Sequence, residues 1–245
     1  MGKFFYAVIL ADGEREFKAT GLDGQRVYAI AYRDVSAVVS EYPQVDSIRL
    51  LRKNLSPYHG VCRELGAAVT TLPARFGQIA KDNDQVLGVL SQNYRRIRGE
   101  LERFDNKVEM GLKLWWEVDD VFQYFVGQDP KLDSYREKLL RRPRTPSRME
   151  QLDFGRYFHD RINAARERIT KGLLSSFPSI QVRVEDPGED KMVMNVSLLV
   201  EKKGLEDFEK GVNSAVSSLG KEYRLKVEGP WVPFSFVERL ELGLR

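Results

Sequence analysis

The chain has 245 residues, of which 42% are hydrophobic and 31% charged, and this apolar content is sufficient for a packed core. Its 39 Lys and Arg residues nearly balance its 36 Asp and Glu residues, so net charge gives no argument for nucleic acid as a partner. The single cysteine, Cys62, excludes an internal disulfide. The first apolar run is too short to span a membrane and no small-residue cleavage site follows it, so we expect a cytoplasmic protein without a membrane partner.

The first forty residues predict three β-strands. Residues 3–10 are almost uniformly apolar and rich in aromatic and β-branched types, which is typical of a strand buried on both faces. Residues 26–32 and 35–40 follow, joined by a tight connection at Arg33-Asp34, and predict a hairpin.

Two helices are predicted next. Apolar residues at spacings of four and three indicate a helix that begins at Pro57 and ends before an extended segment, residues 72–80. Asp82 or Asn83 is then expected to cap a longer helix, because an apolar stripe at helical spacing follows and continues to Phe104.

The second half of the chain predicts a ferredoxin-like domain. Apolar residues alternate from Val108 to Trp116, which is typical of a half-buried strand, and we place a domain boundary before it. Strands are then predicted over 179–185, 192–201 and 223–228, with long helices around 158–173 and over 204–219. This βαββαβ order is that of the split βαβ unit, with a helical insertion at about 117–148 in the first crossover.

The predicted fold class is therefore α+β with two domains and a tail. The N-terminal α+β domain covers 1–106 and the ferredoxin-like domain covers 107–230, where Gly229-Pro230 is expected to end the last strand. The tail, 231–245, carries too much apolar surface to remain in water, including Leu240, Leu242 and Leu244. We expect the tail to pack between the two domains.

Residue patterns for catalysis, cofactor binding and metal binding are missing from the sequence. There are only two histidines, His59 and His159, and neither a Gly-x-Ser-x-Gly elbow nor a phosphate-binding Gly-Lys-Ser/Thr loop occurs. His59 and Cys62 lie three residues apart, but structural zinc requires about four ligands. We therefore expect no catalytic, cofactor or metal site, and a protein that is not an enzyme.

Two motifs resemble those of a known family. Residues 229–236 read Gly-Pro-Trp-Val-Pro-Phe-Ser-Phe and resemble the Gly-Pro-Trp-Pro-Pro-Tyr-Ser-Phe signature of the GvpL/GvpF family of gas vesicle proteins. Residues 72–77, Leu-Pro-Ala-Arg-Phe-Gly, resemble the family's Leu-Pro-x-Arg-Phe-Gly element. Val232 departs from the family's proline and Phe234 from its tyrosine. The length and the lack of insertions look more like the GvpF members.

The resemblance implies a minor accessory protein of gas vesicle assembly, with no enzymatic activity. Its implied partners are the small apolar shell protein and other vesicle accessory proteins, in the cytoplasm and at the gas vesicle. Five residues are candidates for partner binding or for packing between domains, and both roles are open: Trp231, Phe234, Phe236, Arg75 and Phe76. The alternative function, a ligand- or RNA-binding regulatory module, rests on the ferredoxin-like fold alone.

Overall fold

The computed structural model describes residues 1–10, 17–43, 48–141 and 146–237. These residues form α-helices and two β-sheets, so the predicted α+β class is confirmed. They group into two compact units, the first made of residues 1–110, 199–204 and 229 onward, and the second of residues 111–198 and 205–228. The domain limits expected from the sequence, and a tail between the domains, stay predictions. The tail leucines Leu240, Leu242 and Leu244 lie outside the described residues.

The first unit is built on a five-stranded sheet around its first strand. The strands are β1 (Gly2–Leu10), β2 (Val27–Tyr32), β3 (Val35–Tyr42), β4 (Thr71–Pro73) and β5 (Ile79–Ala80). The order is β2-β3-β1-β4, and β5 also pairs with β1. Strand β1 runs antiparallel to β3, β4 and β5. The central position of β1 explains its apolar sequence, because neither of its faces meets water.

One helix covers each face of this sheet. Helix α1 (Arg52–Ala68) shares a buried cluster with Phe4 and Tyr6. Helix α2 (Asn83–Arg103) shares the other cluster with Phe5 and Val8. A register shift between Phe5 and Ala7 explains why Phe5 and Val8, an odd number of residues apart, face the same helix.

The two helices differ in how well their starts were predicted. Asp82 caps α2, since its carboxylate accepts a hydrogen bond from the Gln85 N–H at 2.8 Å, as expected. The predicted start of α1 at Pro57 is wrong, because the helix begins at Arg52. Pro57 lies in the second turn, and its missing N–H would have bonded the carbonyl of Lys53. Lys53 is exposed, so water can satisfy that carbonyl.

The second sheet contains four strands in the order β7-β8-β6-β9. The elements follow in this order: β6 (Lys107–Trp116), α3 (Val121–Gln128), α4 (Pro130–Leu140), α5 (Arg148–Leu174), β7 (Gln181–Val184), β8 (Met192–Glu201), α6 (Leu205–Ser217) and β9 (Tyr223–Trp231). With α3 and α4 lying in the first crossover, this is the expected βαββαβ order. The first residues of β6 and the last residues of β8 and β9 belong to the first unit.

Aspartate residues cap two helices of the second unit, α3 and α4. Asp120 caps α3, since its carboxylate accepts a hydrogen bond from the Gln123 N–H at 3.1 Å. Asp129 caps α4 and also accepts a 2.6 Å hydrogen bond from Arg161 on α5. This ion pair ties α4 to the long helix.

Strand β9 extends further than the sequence suggested. Its predicted end at Gly229-Pro230 is wrong, because pairing continues to Trp231. Gly229 has φ +114°, and a Cβ atom there would lie 2.8 Å from the Glu109 carbonyl oxygen on β6. Only glycine permits this approach. Pro230 is tolerated because β9 lies at the sheet edge, where a missing donor costs little.

Candidate binding groove of the first unit

Helix α1 has a buried face and an open face. The buried face carries Tyr58, Val61, Cys62 and Leu65, which pack into the core. The open face lines a cavity of about 690 Å³ together with two residues of the C-terminal segment, which is residues 231–237. The lining residues are Arg52, Leu55, Ser56, His59, Gly60, Arg63, Trp231 and Phe234.

A second cavity of about 490 Å³ adjoins the first and shares Leu55, His59 and Phe234 with it. Its other lining residues are Tyr58, Pro73, Ala74, Arg75, Phe76 and Val237. We call the two cavities together the aromatic groove. The groove joins three segments that are distant in sequence: α1, the turn after β4, and residues 231–237.

The turn after β4 is held by a main-chain hydrogen bond to β1 and by a side-chain hydrogen bond from α1. The Ala74 N–H donates to the Tyr6 carbonyl at 2.9 Å, and the Tyr58 hydroxyl donates to the Ala74 carbonyl. Gly77 has φ +91°, a conformation that favours glycine. The turn therefore presents Phe76 edge-on to the Tyr58 ring, with the ring centroids 5.4 Å apart.

The C-terminal segment lies close to α1 at a glycine. Val232 is buried, and a Cβ atom on Gly66 would stand only 2.4 Å from its Cγ1 atom. The Pro233 carbonyl then accepts hydrogen bonds from the N–H groups of Phe236 and Val237 at 3.2 and 3.1 Å. The segment turns there, and the Phe234 ring meets the His59 ring at a centroid distance of 5.5 Å.

A buried carboxylate fixes this turn. Glu109 on β6 is 7% exposed, and its carboxylate accepts hydrogen bonds from both the N–H and the hydroxyl of Ser235, each at 2.7 Å. Beyond it, Phe236 and Val237 join the buried cluster that also contains α2 residues. Glu109 thus holds the segment in place through two hydrogen bonds.

The structure places the predicted site residues at different depths. Trp231 is 43% exposed, while Phe236 is 5% exposed and lies in the core cluster. Phe234 and Phe76 are half-buried in the groove, and Arg75 is exposed beside them. Four of the five residues therefore line the aromatic groove, and Phe236 lies instead in the core cluster that contains α2 residues. Whether they bind a partner stays a prediction.

His59 and Cys62, three residues apart, lie in different environments. His59 is exposed in the groove, and partial burial lowers the pKa of its imidazole. Cys62 is 1% exposed, and burial raises the pKa of its thiol to about 12. Within residues 1–10, 17–43, 48–141 and 146–237, no group of three or more His, Cys, Asp or Glu side chains could hold a metal ion.

Positive charge borders the groove. Arg52, Arg63 and Arg75 are exposed lining residues, and none of them forms an ion pair within the part of the chain that the structure describes. Neither cavity has an Asp or Glu among its described lining residues. The groove therefore combines aromatic walls with a cationic rim that has no carboxylate partner among the described residues.

The sequence is similar to known proteins over nearly its whole length. Residues 2–238 match the family described as gas vesicle synthesis protein GvpL/GvpF. The chain belongs to the GvpL/GvpF family. The resemblance seen in the two motifs is thereby confirmed over nearly the whole length of the chain.

Individual relatives in the family agree with this assignment. Gas vesicle protein F of a Streptomyces species is 29% identical over 219 residues, which cover 87% of this chain and 89% of that protein. Gas vesicle protein F of Haloferax mediterranei is 25% identical, with 96% and 92% coverage. The crystal structure of GvpF from Anabaena superimposes with a TM-score of 0.81 at 20% identity, covering 97% of this chain and 98% of that one. This chain and the Anabaena GvpF thus share the fold.

The sequence of this GvpL/GvpF member did not predict most of the groove residues. Arg52, Ser56, His59 and Arg63 follow helical spacing, but the expected helix start at Pro57 concealed that stripe. Glu109 alternates with apolar residues in β6, and this pattern alone does not indicate that its side chain is buried. In the described residues, no helix is both long and apolar enough to cross a membrane.

Proposed function

We propose that this protein acts in the cytoplasm as an accessory factor of gas vesicle assembly, by binding the small apolar shell protein and other vesicle accessory proteins. The observation that carries the proposal is the aromatic groove, in which Trp231 remains 43% exposed beside the half-buried Phe234. Family membership connects the chain with gas vesicles.

The chemistry of the groove suits an apolar partner. Each of its two cavities, of about 690 and about 490 Å³, falls within the range of about 300 to 1,000 Å³ that is typical of ligand pockets. Rigid aromatic side chains contribute large contact area at low cost in conformational entropy, and they dominate binding energy at protein interfaces. Covering apolar subunits until they join the growing shell would prevent their aggregation. We therefore propose binding, without catalysis, as the activity.

Co-purification tests this function. The tagged protein is expressed together with the shell protein and the accessory proteins of the same vesicle, and the proteins retained on the tag are identified by mass spectrometry. We expect the shell protein or an accessory protein to be retained. Circular dichroism and a cooperative thermal transition establish that the tagged protein is folded. A folded protein that retains none of them contradicts the proposal.

A further inference from the structure

We propose that the aromatic groove receives an amphipathic helix of a partner protein, with the apolar face of that helix against the rings and its carboxylates against the three arginines of the rim. This inference rests on the proposed function, because it specifies the kind of segment that the partner inserts. Its evidence is the shape, the apolar character and the charge of the groove.

The shape of the groove fits a helix lying along α1. The lining residues from Arg52 to Arg63 cover three turns of α1, which is about 16 Å of helix axis. Between those arginines lie two small residues, Ser56 and Gly60, one turn apart. A Cβ atom on Gly60 would meet no other atom within 4 Å, so the space above it is open. A second helix can therefore approach α1 closely there.

The apolar character of the groove comes from α1, from the turn after β4 and from residues 231–237. Leu55 and Phe234 belong to both cavities, Trp231 extends one wall, and Phe76 lies in the other. Apolar side chains at successive turns of a docked helix can occupy the two cavities on either side of Phe234. This is the arrangement by which grooves recognise amphipathic helices.

The rim charge selects acidic flanks. Arg52, Arg63 and Arg75 have no carboxylate partner among the described residues of the groove, and a guanidinium prefers a carboxylate as its planar hydrogen-bonding partner. Nucleic acid fits less well, because the formal net charge of the whole chain is only +3. Charge complementarity therefore favours an acidic protein segment.

The first test blocks the groove without disturbing the fold. Gly60→Leu fills the open space above α1, and Gly99→Leu is the matched control, because Gly99 lies in α2 and is exposed with equally open space. In the co-purification above, we expect Gly60→Leu to reduce the retained partner about tenfold or more, which corresponds to about 1.4 kcal/mol of binding. Gly99→Leu should retain the partner fully. Equal retention by the two variants overturns the inference.

The second test reverses charge. Arg52→Glu with Arg63→Glu and the control Lys53→Glu with Arg95→Glu change the net charge equally, but only the first pair lines the groove. We expect the groove pair to weaken retention about tenfold or more and the control pair to leave it within about twofold, because exposed charges outside an interface contribute little. Unchanged retention in the groove pair would exclude the acidic partner.

The third test identifies the occupant. A photo-cross-linking amino acid replaces Ser56, with Lys53 as the control position outside the groove. We expect the Ser56 position to capture a segment of another vesicle protein that contains Asp or Glu beside an apolar helical stripe. Capture of a second copy of this chain, a basic segment or nucleic acid, or no capture although partners co-purify, refutes the inference and leaves the proposed function intact. Absence of any co-purified partner would instead refute the proposed function.

Discussion

The carboxylate of Glu109 accepts hydrogen bonds from both the N–H and the hydroxyl of Ser235, two residues separated by 126 positions in the sequence. This pair fixes the C-terminal turn that brings Phe234 into the aromatic groove. A residue of the second sheet's first strand thereby shapes a surface formed mainly by α1.

Glu109→Ala should destabilise the protein by about 1 to 3 kcal/mol, because it leaves the N–H of Ser235 without its acceptor. Ser235→Ala should cost less, about 1 kcal/mol, since only the hydroxyl is lost. Urea denaturation gives the free energy of unfolding. Glu209→Ala, at an exposed position of α6, is the control and should stay within about 0.5 kcal/mol. Equal stability of Glu109→Ala and the control would show that the pair does not hold the turn.

Two glycines of α1 should respond in opposite ways to alanine. Gly66→Ala places a Cβ atom 2.4 Å from Val232 Cγ1 and should lower the free energy of unfolding by about 1 to 3 kcal/mol through overpacking. Gly60→Ala meets no atom and should raise it by up to about 1 kcal/mol, because alanine favours the helix. Thermal and urea unfolding measure both variants. A stabilising Gly66→Ala would show that Val232 does not pack there.

Much of the fold could be predicted from the sequence, whereas the aromatic groove could not. Strand β1, helix α2 and the ferredoxin-like order were predictable, because each depends on a local pattern of apolar residues, continuous in β1 and periodic in α2. Glu109 alternates with apolar residues in β6, and such alternation predicts an exposed side chain. In the structure, however, Ser235 covers Glu109. Local periodicity carries no information about such long-range partners. The groove was hidden for the same reason, since its three segments meet only through the pairing of β1 with β4 and the packing of Val232 on α1.

Cys62 should be unreactive in the folded protein. Burial raises the pKa of its thiol to about 12, and the side chain is 1% exposed, so thiolate is scarce and inaccessible. With Ellman's reagent at pH 8, we expect negligible labelling in buffer and one thiol per chain in denaturing urea. Rapid stoichiometric labelling of the folded protein would contradict the placement of α1 against the sheet.

His59 should make stability depend on pH. Burial lowers the pKa of its imidazole below the ordinary value of 6.5, so the unfolded chain takes up the proton first as the pH falls. Relative to His59→Gln, the free energy of unfolding should be constant above pH 6.5 and should decrease as the pH falls from there through the lower folded-state pKa. Urea denaturation of both proteins from pH 8 to pH 5 measures this difference. A flat or rising difference would contradict the partial burial of His59.

The C-terminal aromatic residues combine a buried anchor with an exposed binding surface, and measuring stability and partner retention together tests both roles. Phe236→Ala should lower the free energy of unfolding by about 3 to 5 kcal/mol, because Phe236 lies in the core. Trp231→Ala should change it by less than about 1 kcal/mol yet reduce retention of vesicle partners about tenfold or more. Full retention by a stable Trp231→Ala variant would contradict the account.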